Sequence, residues 1–146
     1  MLASTQAGIA FSNASVTLIH GMSRPVGAIF HVPHGLSNAM LAPLCTQYSV
    51  PGAVNRYAQV SRALDFCPVG VSDEEAADLL PSELAKLNLE LKVPSLKEFG
   101  IPEDQFLSAV PKMAVDAIAS GSPANNPVIP GSAAEVEDLY RRIWEA

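Results

Sequence analysis

Apolar and polar positions divide this chain into two unlike halves. Residues 1 to 64 carry only Arg24, Arg56 and Arg62 as formal charges, and the first carboxylate is Asp65. The front half reads as helical pieces punctuated by glycine and proline. Leu2 to Ser12 is rich in small residues that permit close helix packing, and Val16 to Phe30 fits a helix disturbed at Pro25. Pro33 biases Val32 towards an extended conformation, so a new helix is expected from near His34 to about Tyr48. Another, from about Val54 to Leu64, follows the Pro-Gly pair at 51 and 52.

The back half is patterned more sharply. Ser72 with Glu75 makes a capping box, and Asp73, Glu74 and Glu75 suit the first turn of a helix. Leu79, Leu80, Leu84, Leu87 and Leu91 recur at three- and four-residue spacing, which predicts an apolar stripe as far as about Leu91, before Pro94. Pro81 removes the bond to the Ala77 carbonyl and should kink that helix. Pro102, Glu103 and Asp104 open a further helix that ends near Gly121 and that Pro111 interrupts or restarts. Residues 122 to 132, SPANNPVIPGS, form a loop, and Ser132 with Glu135 caps a last helix, Ala133 to Glu145. Strand signals are nearly absent, and the pattern predicts an all-α domain of six or seven helices.

Composition changes this picture in one respect. The chain has 146 residues, enough for one domain with a real core, and 49% of them are hydrophobic. All fifteen acids lie from Asp65 onward and the net charge is -6. An uncharged front of this length reads as either the core or a surface that meets another domain. Nine scattered Lys and Arg residues supply no phosphate-binding face, so nucleic acid is not an expected partner. No apolar run approaches the length a membrane helix needs, and a secretory signal is not expected from residues 1–15, which lack a basic stretch followed by a compact apolar one. Cys45 and Cys67 are far apart without a CxxC pair, which fits a reduced, cytoplasmic setting.

The nine glycines never come closer than six residues apart, so neither GxGxxG nor GxxxxGK[ST] exists. A serine nucleophile elbow is absent, and neither cysteine has the surroundings of a nucleophile. The candidate chemistry is histidine. All three, His20, His31 and His34, fall within fifteen residues and bracket a predicted turn. Imidazoles so placed could aim at one metal ion, or could be ordinary core or helix-end histidines bonded to backbone. The lack of any nearby carboxylate leaves such a metal site half built. Arg24, four residues after His20, would share its helix face. It reads either as a surface arginine or as a cation aimed into an apolar cleft to hold a carboxylate or phosphate.

Residues 20 to 43, HGMSRPVGAIFHVPHGLSNAMLAP, resemble the signature of the iron-dependent alcohol dehydrogenase family, in which an HGM-type segment is followed by PHG and an S-N-A triplet. The resemblance extends over ASTQAGIAFSNAS before the motif, and over LNLELKVPSLKEFGI and PKMAVDAIASGSPANNP after it. It therefore covers essentially the whole chain as part of that family's helical domain.

The resemblance implies a two-domain enzyme in which an α/β nucleotide-binding domain precedes a helical metal-binding domain, residues 1–146 being part of the latter. It implies a divalent metal, iron(II) or zinc, held by one Asp and three His, with His20 and His34 matching the second and third histidines. The Asp, the first His and the glycine-rich loop for NAD or NADP would lie before the motif, so the chain is expected to be a C-terminal piece without turnover of its own. Many members carry histidine where this chain has Arg24. Arginine cannot release a proton at ordinary pH, so Arg24 is assigned to substrate or cofactor electrostatics, and His31 is the hypothetical proton relay. The competing expectation is a helical interaction module that keeps this fold without the chemistry and forms a homo-oligomer through residues 1 to 55.

Overall fold

A computed structural model describes residues 1–146 as seven α-helices with no strand. They are α1 (Leu2–Ala14), α2 (Leu18–Phe30), α3 (His34–Ser49), α4 (Val54–Ala63), α5 (Asp73–Glu90), α6 (Glu103–Ala119) and α7 (Ala133–Glu145), with 3₁₀ turns at Val50–Gly52 and Ser122–Asn125. The all-α expectation holds. The capping signals act as read at α5, where Ser72 Oγ accepts from the Glu75 N–H at 3.1 Å and Glu75 Oε2 accepts from the Ser72 N–H at 3.0 Å. At α7 the exchange is one-sided. Ser132 Oγ accepts from Glu135 N–H, while the Glu135 carboxylate turns instead to the Gly131 N–H at 2.6 Å.

Proline breaks none of these helices. Pro25, Pro43, Pro81 and Pro111 all lie inside continuous α-helix, so the expected interruption or restart at Pro111 does not occur. An interior proline costs a helix about 3 kcal/mol or more. That local cost is offset by burial: Val110, Met113 and Ala114 around Pro111, and Leu18, Met22 and Val26 around Pro25, are fully buried.

The core lies between α2, α3, α6 and α7. Phe106 of α6 stacks on Trp144 of α7 with ring centroids 4.7 Å apart, and meets Tyr140 edge-on at 6.3 Å. Tyr140 donates from its buried hydroxyl to the Met22 carbonyl at 2.6 Å, tying α7 to α2. A smaller cluster of Val50, Ala58, Ala76 and Ala77 seats α4 on α5.

The leucine stripe of α5 is buried only in part. Leu80 is in the core, Leu79 and Leu84 are half-buried, and Leu87 and Leu91 are exposed. The first half of α5 packs on α4 through alanines, whereas its far end is held to α3 by a polar contact, Asn88 Nδ2 donating to the Ala39 carbonyl at 2.8 Å. The uncharged front likewise divides. Helices α2 and α3 supply the core, but α1 buries no residue and exposes Leu2, Ile9 and Phe11.

The 3₁₀ turn after α3 runs close under the loop before α7. A Cβ on Gly52 would collide with the Pro127 carbonyl and lie 2.9 Å from Val128 Cγ2. Backbone cannot give way as a side-chain end can, so Gly52→Ala is expected to lower stability by about 1–3 kcal/mol. Gly8→Ala, in open space within α1, should raise it or leave it unchanged. Chemical denaturation of the two variants checks the contrast.

Candidate metal-ligand cleft

Two histidines are brought together by adjoining helices. His20 sits in the first turn of α2, and His34 is the first residue of α3, after Pro33. Their ring centroids are 5.1 Å apart. The backbone beneath each is pinned in the same way: buried Ser23 donates to the His20 carbonyl at 3.3 Å, and buried Ser37 to the His34 carbonyl at 3.0 Å. Gly21, next to His20, lets α2 approach the 3₁₀ turn at 122–125, since a Cβ there would lie 2.8 Å from Pro123 Cγ.

Asn38 joins the pair. Its Nδ2 lies 3.4 Å from His20 Nε2 and 3.1 Å from His34 Nε2. In the tautomer that accepts from this amide, each imidazole presents its Nε2 lone pair and carries its proton on Nδ1. Two Nε2 lone pairs therefore converge on one point. The other end of the amide, Oδ1, is buried without a partner. Burial holds the His20 pKa below the usual histidine value, and the neighbouring His34 and Arg24 add to the effect. A neutral imidazole is the form that binds a metal.

The cleft around this pair measures about 630 Å³, and Phe11, Val16, Arg24 and Asn38 are among the residues that line it with the two histidines. A more apolar recess of about 420 Å³, walled by Ile19, Ala39 and Ala42, shares His20 and Asn38 with it. Arg24 donates from Nη1 to Ser122 Oγ at 3.3 Å. His31 is exposed at the end of α2, in a left-handed conformation with φ 56°, and does not line the cleft. Cys45 is buried beside Met22, and burial pushes its thiol up to about 12, so it offers no thiolate near neutral pH. No three His, Cys, Asp or Glu side chains of the chain converge.

Sequence reading thus named His20, His34 and Arg24, which the fold gathers at one cleft, and His31, which it places elsewhere. It missed Asn38 and Ser122. Asn38 stands four residues after His34, on the same helix face, and that spacing was the available signal. Ser122 lies 98 residues from Arg24, and no local pattern joins them.

The all-helical chain turns two imidazoles onto one point. The chain belongs to the Fe-containing alcohol dehydrogenase family, whose C-terminal description matches residues 1–144. It is 34% identical over 145 residues to the 1-propanol dehydrogenase PduQ of Salmonella typhimurium, covering 97% of this chain and 39% of that protein. It is also 34% identical over 122 residues to the NADPH-dependent butanol dehydrogenase of Clostridium saccharobutylicum, covering 83% and 31%. Among solved structures, an iron-containing alcohol dehydrogenase from Thermococcus thioreducens superposes with a TM-score of 0.85 at 34% identity, over 99% of this chain and 36% of that one. The chain thus spans about a third of the length of these relatives. No helix is long and apolar enough to cross a membrane.

Proposed function

We propose that residues 1–146 form part of the helical metal-binding domain of an alcohol dehydrogenase that passes hydride between a small alcohol or aldehyde and NAD or NADP in the cytoplasm. The observation that carries this reading is the convergence of His20 Nε2 and His34 Nε2 on Asn38, beside the unpartnered Asn38 Oδ1. The residues fit a divalent metal. Two imidazoles suit iron(II) or zinc, and the orphaned amide oxygen marks polar space that the protein itself does not satisfy.

An ion held there would supply Lewis acidity to the alcohol or aldehyde oxygen. The protein's own part is positional. His20 and His34 present Nε2 from helices whose backbone is fixed by Ser23 and Ser37, Asn38 contacts both Nε2 atoms, and Arg24 places positive charge at the cleft wall. His31, outside the cleft, is given no step. The remaining ligands, by family resemblance one Asp and a further His, are not supplied by this cleft. The chain's glycines form no GxGxxG or GxxxxGK[ST] loop.

Cobalt(II) is a useful probe, because its visible spectrum reports nitrogen ligation. One weakly held ion per chain is expected, with His20→Ala and His34→Ala each removing the spectrum while the helical circular dichroism persists. Retention of the same spectrum in both variants would falsify the assignment. Incubated with ferrous iron, an alcohol and NAD(P), the 146-residue chain alone is expected to show no turnover.

A second reading, as a helical assembly module, draws on α1, which buries no side chain and exposes Leu2, Ile9 and Phe11. It predicts stable self-association of metal-free protein in sedimentation, abolished by Ile9→Glu.

A further inference from the structure

Ser15 closes α1 with φ 68° and ψ -175°, a backbone region that only glycine occupies without cost. A residue with a Cβ stays there only where its surroundings hold it. The holder is Asn125, 110 residues away in the 3₁₀ turn at Ser122–Asn125. Its Nδ2 donates to Ser15 Oγ at 3.2 Å and to the Val16 carbonyl at 3.1 Å, which uses both hydrogens of the amide. The turn itself is fixed. Ser122 and Pro123 are buried, and the adjacent, buried Asn126 donates to Ser49 Oγ at 2.9 Å and to the Val128 carbonyl at 2.8 Å. Helix α1 is the opposite case. It buries no side chain, and the hydrogen bonds of residues 1–14 stay within the helix and its caps. Yet its last turn walls the cleft, since Phe11, Ser12 and Asn13 line it together with His20 and His34.

We propose that Asn125 is a positioning residue that latches α1 across a strained hinge at Ser15, making α1 a movable wall of the cleft. Latched, residues 11–13 stand at the cleft with His20. Released, Ser15 relaxes to an ordinary backbone conformation, α1 turns away about residues 15–17, and the cleft opens. A 13-residue helix with no charged side chain and no buried face is marginal by itself in water, so release also lets α1 unwind. The latch needs no ion at the histidines, and it stands or falls separately from the metal reading.

Amide hydrogen exchange of the 146-residue chain reads the latch. In Asn125→Ala the α1 amides are expected to exchange about fivefold faster than in wild type, the low end for two solvent-exposed hydrogen bonds, with those of α2–α7 unchanged. Asn125→Asp keeps the shape but cannot donate, and should exchange like Asn125→Ala. Added to Asn125→Ala, where the bond to Ser15 Oγ is already gone, Ser15→Gly should return most of the protection, because glycine adopts the hinge conformation without strain. Opening of the cleft is read at His20 by acylation with diethylpyrocarbonate, expected to be about threefold faster in Asn125→Ala, with the exposed His31 as the unchanged reference. Exchange of α1 at coil rates in wild type, unchanged exchange in Asn125→Ala, full protection in Asn125→Asp, no recovery with Ser15→Gly, or an unaltered His20 rate each overturns the proposal.

Discussion

Phe106→Ala is expected to cost about 3–5 kcal/mol of folding stability, measured by chemical denaturation. Against the roughly 5–15 kcal/mol that a domain of ordinary stability commands, such a loss leaves the chain near its threshold. The ring is fully buried and is the centre of an aromatic layer: stacked on Trp144, edge-on to Tyr140, and 6.0 Å from Phe30 of α2. Its removal opens a void walled by three rings, and rings cannot collapse inward as flexible aliphatic chains do. The neighbouring Leu107, on the outer face of α6 and 40% exposed, provides the contrast. Leu107→Ala should stay within about 1 kcal/mol of the parent. Equal losses at the two positions would show that the aromatic layer is not what holds α6 to α7.

This layer also governs the cleft. Tyr140 reaches from α7 to the Met22 carbonyl, two residues beyond His20, so the height of α2 is set by packing that begins at Phe106. Such a connection is invisible along the chain, where Met22 and Tyr140 stand 118 residues apart. What was legible is local. The Ser72–Glu75 pair marks the start of α5 because a capping box is closed within four residues, and the histidine pair is marked by its motif. Pro111 was misjudged for the complementary reason: its cost to a helix is local, but the burial that offsets it at Val110, Met113 and Ala114 comes from other helices. The leucines of α5 follow a helical period as far as Leu91, yet period alone does not reveal that α3 meets this end of α5 through Asn88 and leaves Leu87 and Leu91 in solvent.

The largest functional effect is expected from a gain of ligand. Asn38→Asp should raise the cobalt(II) affinity of the chain by about 10–100-fold, since it completes a two-histidine, one-carboxylate set. Two of the three spacings between the ligand atoms are already in place. Around a tetrahedral ion with bonds of about 2.0–2.1 Å, ligand atoms stand about 3.3 Å from one another. Asn38 Nδ2 lies 3.4 Å and 3.1 Å from the two Nε2 atoms, so a carboxylate oxygen in its place stands at ligand spacing from each imidazole. The wild-type amide works against the metal at that point, because it directs N–H groups at both lone pairs and must swing its Oδ1 round before the ion can enter. Asn38→Ala separates the two contributions. It removes the competing donors but adds no ligand, and should change affinity by less than tenfold in either direction. The gain in Asn38→Asp must also vanish when His34→Ala is added, since carboxylate and imidazole share one ion. A folded Asn38→Asp variant that binds cobalt no better than wild type would mean that the two imidazoles, though convergent, do not face a common metal position.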